Sequence, residues 1–357
     1  MPEYLAPGVY IEEVSTGPRP IEGVSTSTTA MLGQTERGPE APRLVTSWLE
    51  YQRWYGGYLP IEQSYLPYAV EGFFMNGGSR LYVGRIIATD ATFAGRDVSD
   101  LHIQAVGRGT WGNRVYVRIT GGSKRTADSA PLFRMDILYY GPDVDLPDPD
   151  NIVDPLDSAQ ASNPDRREPD RVESYDNLIH TAGAANNVET IVNTGSQLVR
   201  VWFTADPTTE VPIDDVDTFT RLPEADAVAG TPVDETHFPG DMNPIVASAN
   251  PKVSQMYGRG RGLAAVAAID EVSLLLAPDE VRFDPDSLTT DIINQCEQLK
   301  DRFAIVSAPQ GQNDTGPVRP PFDTSYAAYY YPWIEVYDPV TRSQIRIPPT
   351  GHVAGIV

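Results

Sequence analysis

Apolar and polar positions along this chain follow two rhythms, and the rhythm changes in blocks. Between Pro7 and Pro18, Val9, Ile11 and Glu13 alternate with Tyr10, Glu12 and Val14, the period of two that a strand imposes because successive side chains point to opposite faces. Flanking prolines and glycines stop that strand at both ends. The next apolar segment, Thr28 to Leu32, lies beyond a Pro/Gly/Ser-rich spacer without a two-residue hairpin signal. The leading strand therefore has no local partner, and is either a frayed terminus or a strand donated to another sheet. Thr28 to Leu32 reads as a short strand. Trp48, Tyr51 and Trp54 recur at helical spacing within a helix over 46–55. Leu66, Ala69, Val70 and Phe73 do the same within a helix over 65–76, ended by Asn76-Gly77-Gly78. Residues 81–87 follow as a buried strand, and a crossover this long makes the two strands parallel.

From Asp97 the period returns to two. Residues 101–106, 113–119 and 133–139 alternate, which predicts a half-exposed antiparallel sheet. Residues 142–169 are dense in Asp and Pro and read as loop. Order resumes over 172–178 and 187–201, with a helix near 188–193, and 206–250 is again acidic and rich in Pro and Gly. Beyond Leu263, buried strands over 271–278 and 303–309 bracket a helix over 288–299 with Ile292, Ile293, Cys296 and Leu299 on one face; 326–337 and 344–347 complete the set. The predicted fold class is α/β. Residues 1–26 form an extended N-terminal arm, 27–96 plus 241–357 a discontinuous α/β core domain, and 97–240 a β-rich inserted domain with acidic Pro-rich loops.

Charge changes the picture of partners. Of the 357 residues, 49 are acidic and 27 basic, a net charge of −22, and the lysines are Lys124, Lys252 and Lys300. Such a chain is repelled by nucleic acid and by anionic lipid, since both associations depend on neutralising phosphate. The excess carboxylate also fits a salt-rich cytoplasm, where screening shortens the reach of self-repulsion. The longest apolar run, Leu263 to Ile269, is cut by Asp270 and Glu271, far short of the roughly 20 residues a spanning helix needs. The start of the chain shows no signal-peptide pattern. One cysteine, Cys296, forms neither an internal disulfide nor a thiolate cluster.

Candidate chemistry is sparse. His102, His180, His237 and His352 lie in no nucleophile-elbow setting and at no zinc-binding spacing. Asp143, Asp145, Asp148, Asp150 and Asp154 suggest a calcium loop, but proline stands where such a loop needs its glycine turn. Gly258-Arg-Gly260-Arg-Gly262 lacks the Lys-Ser/Thr of a phosphate loop and reads as a flexible connector. No cofactor is expected. An α/β hydrolase-like enzyme remains the alternative, with Asp270 or Asp279 near strand ends as its carboxylates.

A set of short motifs runs through the chain in one order: Leu5-Ala-Pro-Gly-Val-Tyr-Ile-Glu-Glu13, Ala30-Met-Leu-Gly33, Arg37-Gly-Pro39, Gly77-Gly78-Ser-Arg-Leu-Tyr-Val83, Gly109-Thr-Trp-Gly-Asn113, Val172-Glu-Ser-Tyr-Asp-Asn-Leu178, Val192-Asn193 and Pro348-Pro-Thr-Gly-His-Val-Ala-Gly355. In that order they resemble contractile tail sheath proteins, which surround the tubes of contractile phage tails and related injection systems. The resemblance implies a structural protein and no enzyme. It implies a virion tail or contractile particle, assembled in the host cytoplasm as stacked hexameric rings around an inner tube. The implied partners are other copies of the chain, six per ring, the inner tube protein, and baseplate and tail terminator proteins, with no nucleic acid and no membrane anchoring. Val9, Tyr10, Ile11, Glu12, Glu13 and Val14 are then the expected subunit-interface residues, in strand exchange with a neighbour. In typical sheath proteins a stretch like Gly351 to Val357 leads into a further C-terminal domain. Its absence here implies a truncated chain or a shorter paralogue.

Overall fold

The computed structural model describes residues 28–125, 132–148, 152–204, 219–223, 226–245, 255–283, 287–311 and 318–357. Residues 9–14, the predicted interface strand, lie outside the described residues.

The fold is mixed α/β. In chain order the first strands and helices are β1 (Thr28–Gly33), β2 (Arg43–Val45), α1 (Trp48–Tyr55), α2 (Leu66–Met75) and β3 (Arg80–Arg85). Then come β4 (Gly95–Val98), β5 (Leu101–Ala105), β6 (Val115–Gly121), β7 (Phe133–Tyr139), β8 (Arg171–Leu178), α3 (Val188–Gly195), β9 (Val199–Phe203) and β10 (Thr220–Arg221). The last section holds β11 (Asp241–Pro244), β12 (Arg259–Arg261), α4 (Gly262–Ala267), β13 (Leu274–Leu276), α5 (Leu288–Leu299), β14 (Phe303–Ser307), β15 (Ala327–Tyr330), β16 (Ile334–Asp338), β17 (Ser343–Ile347) and α6 (Thr350–Ile356).

The largest sheet has the order β15-β14-β13-β1-β3-β2, parallel except for β2. Its strands come from both ends of the chain, and helices cover both faces. Because side chains alternate across a strand, Ala30 and Leu32 of β1 pack with α4 and α5, whereas Met31 packs with α1, α2 and α6. That double burial explains why these strands read as apolar runs rather than alternations. In α5, Leu288, Ile292, Ile293 and Cys296 are buried, each of the large aliphatic side chains stabilising the layer by roughly 1.5–3 kcal/mol.

Local signals account for the helix ends. Ser47 accepts from the Glu50 N–H, and the Glu50 carboxylate reaches back to the Thr46 N–H, a reciprocal cap on α1. In α2, Ser64 Oγ accepts from the Leu66 N–H, and Pro67 takes an early position where no intrahelical donor is needed. Past its end Gly77 has φ +106° and the Gly78 N–H returns to the Phe73 carbonyl, as the Asn-Gly-Gly signal predicts.

Between β3 and β11 lie two antiparallel sheets, β10-β6-β7-β8 and β4-β5-β9, which share one core of Leu101, Ile103, Trp111, Val117, Ile137 and Val201 among others. Three local expectations change. The strand expected over 271–278 shrinks to Leu274–Leu276. The segment 326–337 splits at Pro332 into β15, which joins the large sheet, and β16, which forms a hairpin with β17. The Gly258–Gly262 connector is not free: Arg259–Arg261 pairs with β11, and Arg261 binds Asp241 at 2.8 Å. Its glycines take φ of +86°, +75° and +62°, backbone angles that other residues rarely adopt.

Candidate assembly surfaces

In a parallel α/β sheet, ligands settle outside the carboxyl ends of the strands where the winding direction reverses. Here that crevice lies between β1 and β13: β1 leads to β3 on one side, and β13 leads to β14 and β15 on the other. It is filled by protein. Asp279, just past β13, is 1% exposed. Its carboxylate accepts from Ser64 Oγ at 2.5 Å, from the Tyr65 N–H at 2.7 Å and from Arg282 Nε at 2.9 Å. Burial pushes the Asp279 carboxyl upward, against the pull of those donors. A Cβ added to Gly33 at the end of β1 would stand 2.9 Å from Leu66 Cβ and 3.1 Å from Asp279 Oδ2, so no space remains between the strand ends. Asp279 thus starts α2 rather than facing solvent. Asp270, the other strand-end carboxylate, sits exposed in a turn after α4.

Glu280 is buried beside Asp279 and accepts from the Ser307 N–H at 2.7 Å and from the Thr289 hydroxyl at 3.1 Å. With no cation among these contacts, burial raises its carboxyl to about 8. These bonds tie β14 and α5 to the segment after β13.

A second cluster joins the large sheet to the antiparallel sheets. Arg108 clamps Glu40 through two nitrogens and also donates to the Thr89 carbonyl. Arg85, at the end of β3, donates to the carbonyls of Gly38 and Arg108, and burial lowers its guanidinium to about 10. Glu36 accepts from Tyr139 Oη, from Arg37 Nη1 and from the Gly57 N–H. A Cβ on Gly107 would come 2.1 Å from the Gly38 carbonyl oxygen, so the two loops meet backbone to backbone. Beside this joint runs a cleft of about 610 Å³ lined by Tyr58, Trp111, Arg114, Tyr139 and Val340. Arg114 is spent on the carbonyls of Tyr140, Gly141 and Val144, and Trp111 Nε1 on that of Arg108. These two polar groups of the cleft thus serve the fold.

Several of the ordered motifs occupy joints of this kind. Asn113 offers both ends of its amide to the backbone of Ala227, at 2.8 Å each. Asn193 does the same to Val201 of β9, again at 2.8 Å twice. A Cβ on Gly112 would stand 2.5 Å from Ala94 Cβ. Gly351 and Gly355 let α6 lie directly on α2: Cβ atoms there would come 2.4 Å from the Ala69 carbonyl oxygen and 2.3 Å from that of Phe73. His352 packs over Gly72, and burial lowers its imidazole.

Two further histidines and one of the loop aspartates make local contacts. His237 and Asp234 cap a short turn of helix. His102 contacts Asp97 at 2.6 Å and lies against the Trp202 ring. Asp154 takes Arg118 at 2.6 Å. Among the described residues, no group of three or more His, Cys, Asp or Glu could hold a metal ion, and no helix is long and apolar enough to cross a membrane.

What the described surface offers is sheet edges. β2 and β15 end the large sheet, and β8 and β10 end the four-stranded one. On β8, side chains alternate between half-buried and exposed. Tyr331, just before β16, and Tyr337, within it, are each more than half exposed.

No family model matches the chain, and neither does any curated protein. Solved structures do. The sheath tail protein of Desulfitobacterium hafniense is 14% identical, with 98% of this chain aligned to 61% of that one at a TM-score of 0.43. The sheath tail protein of Listeria innocua is 11% identical, with 93% of this chain on 55% of that one at 0.47. The helical sheath of the anti-feeding prophage in its contracted state is 12% identical, with 98% of this chain on 50% of that one at 0.34. The chain spans between half and about three fifths of the length of these proteins. All three are sheath proteins, the class that the ordered motifs resemble.

Proposed function

We propose that this chain is a structural subunit of a contractile tail sheath. Its copies stack as hexameric rings around an inner tube and contract to drive that tube through a target envelope. The observation that carries this reading is the ordered series of motifs from Leu5 to Gly355. Several of those motifs form joints: Asn113 and Asn193 clamp backbone, and Gly351 and Gly355 seat one helix on another. Residues that serve packing and connection suit a protein whose work is mechanical. The filled crevice at Asp279 and the internal bonds of Arg114 and Trp111 in the large cleft support a non-enzymatic role over the hydrolase alternative.

In this reading residues 1–26 are a linking arm, 27–96 with 241–357 the sheath core, and 97–240 an insertion on its outside. The ladder is formed by Val9 to Val14 and a strand of a neighbouring subunit, where main-chain hydrogen bonds give affinity and the Pro/Gly/Ser-rich spacer gives slack. Subunits then rotate and slide without parting. Contraction repacks subunit interfaces from a metastable arrangement into one of lower free energy, a collective two-state change that needs no nucleotide.

Negative-stain microscopy tests the reading. The intact chain, with the inner tube protein, is expected to form cylinders or stacked rings. Removal of residues 1–20 is expected to leave a folded subunit that forms none. Normal cylinders from the shortened chain would sink the linking role, and compact monomers with activity on model esters would favour the hydrolase.

A further inference from the structure

β15 differs from every other terminal strand of the described sheets. Among the described residues it pairs on one side only, with β14. No charged residue stands in it or anywhere from Thr324 to Ile334, and five of those eleven residues are aromatic: Tyr326, Tyr329, Tyr330, Tyr331 and Trp333. All the other edges carry charge: β2 has Arg43, β4 has Arg96 and Asp97, β9 has Arg200, β10 has Arg221, and β8, β11, β12, β16 and β17 each hold at least one charged side chain. Charged side chains guard an edge strand against pairing with another chain, whereas tyrosine and tryptophan without charges are the composition of an interface core. Tyr331, directly after β15, is 52% exposed. Two copies bearing a net charge of −22 repel one another, so contact between them is favoured where charge is absent.

The hydrogen bonds of β15 fix which backbone groups are on offer. The Tyr326 carbonyl accepts from the Ala304 N–H at 2.8 Å and the Tyr330 carbonyl from the Ala308 N–H at 3.0 Å, both on the β14 side. Backbone groups alternate in direction along a strand, so those of Ala327 and Tyr329 point away from β14, and among the described residues they meet no partner there. We propose that β15 pairs antiparallel with β15 of a second copy of this chain, across a twofold axis at Ala328, joining two six-stranded sheets into one. The outward groups set the register: Ala327 of each copy exchanges hydrogen bonds with Tyr329 of the other, and the two Ala328 residues face each other on the axis. Alanine then opposes tyrosine or alanine, which leaves room for the rings, and Tyr326 opposes Tyr330 as an aromatic pair. This edge is its own complement, and that names a second copy as the occupant. A twofold pair closes on itself, whereas stacked rings grow through contacts that repeat. The pair is a form of the subunit outside the cylinder and stands or falls independently of the sheath reading.

Sedimentation of the full chain without tube protein tests this. The expected result is a concentration-dependent dimer that tightens with added salt, because screening weakens the mutual repulsion and no ion pair crosses the axis. Ala327→Pro deletes an outward N–H at the first residue of β15, a position that accepts proline and leaves the β14 ladder intact. It is expected to keep the circular dichroism of the parent and to weaken the dimer about tenfold or more, since the pair loses two hydrogen bonds. Ala328→Cys is expected to give a disulfide-linked dimer under mild oxidation, because a facing pair without hydrogen bonds brings its Cα atoms to about 4.5 Å. Ala327→Cys is not expected to link to itself, its counterpart lying about 7–8 Å away on the diagonal; Cys296 is buried. A monomer at every concentration reached would overturn the proposal. So would a dimer that Ala327→Pro leaves unchanged, or equal linking at 327 and 328. Should the proline variant fail to fold, the contrast between the two cysteine variants decides.

Discussion

Glu40 and Arg108 form a two-pronged ion pair, with Arg108 Nε donating to Oε1 at 2.7 Å and Nη2 donating to Oε2, while Glu40 is 1% exposed. The pair bridges the loop after β1 and the segment between β5 and β6. It holds two bodies together at a place where an uncompensated charge would be costly.

Arg108→Ala is therefore expected to destabilise the protein by about 3–5 kcal/mol, because it strands a buried carboxylate. The double replacement Glu40→Leu with Arg108→Met removes both charges and is expected to cost less than Arg108→Ala alone. Urea unfolding of the three variants measures both differences, and a double variant weaker than the single would contradict the account.

Gly351→Ala places a methyl group where α6 touches the backbone of α2 at Ala69. Overpacking of this kind costs roughly 1–3 kcal/mol, and here the obstacle is backbone, which yields less readily than a side chain. Gly355→Ala is expected to behave alike against the Phe73 carbonyl. Thermal melts read out both; an unchanged midpoint would mean that the helices separate freely.

Glu280 makes stability depend on pH in a defined direction. Burial raises its carboxyl from the ordinary value of 4.5 to about 8, so the folded chain holds a proton that the unfolded chain releases. Its contribution is fully present below about 4.5, falls as pH rises from there to about 8, and is flat above, with a limiting slope of roughly 1.4 kcal/mol per pH unit. Glu280→Gln is expected to remove that slope. The check is the difference between the pH–stability curves of the two chains; parallel curves would refute the effect.

Asp279→Ala removes the acceptor of the Ser64 hydroxyl, the Tyr65 N–H and Arg282. The expected loss is about 3 kcal/mol, with faster amide exchange at Tyr65 and the start of α2. Full protection there would show that the helix starts without it.

Much of the architecture was legible locally. The helix over 65–76 and its Asn-Gly-Gly ending appear as α2 and the turn after it, because periodicity and a left-handed glycine are decided by the chain's own sterics. Residues 288–299 form α5 with the predicted bounds. The arginine-glycine run, in contrast, reads as a loose connector but pairs with β11. Its partner lies in an acidic stretch with no strand-like alternation, and pairing is a matter of what meets it in space. Asp279 was visible only as a carboxylate at a strand end. Whether such a group meets solvent or a helix start depends on Ser64 and Tyr65, more than two hundred residues earlier.

The sequence by itself determined the α/β character, the acidic net charge and the order of motifs, since each follows from composition, period or local backbone preference. The tertiary structure alone decided that Asn113, Asn193, Gly351 and Gly355 serve as clamps and close contacts, that Glu280 is buried beside a second carboxylate, and that β15 ends the large sheet without a charge. Those properties depend on which distant segments lie side by side, and no local rule encodes the distance between them.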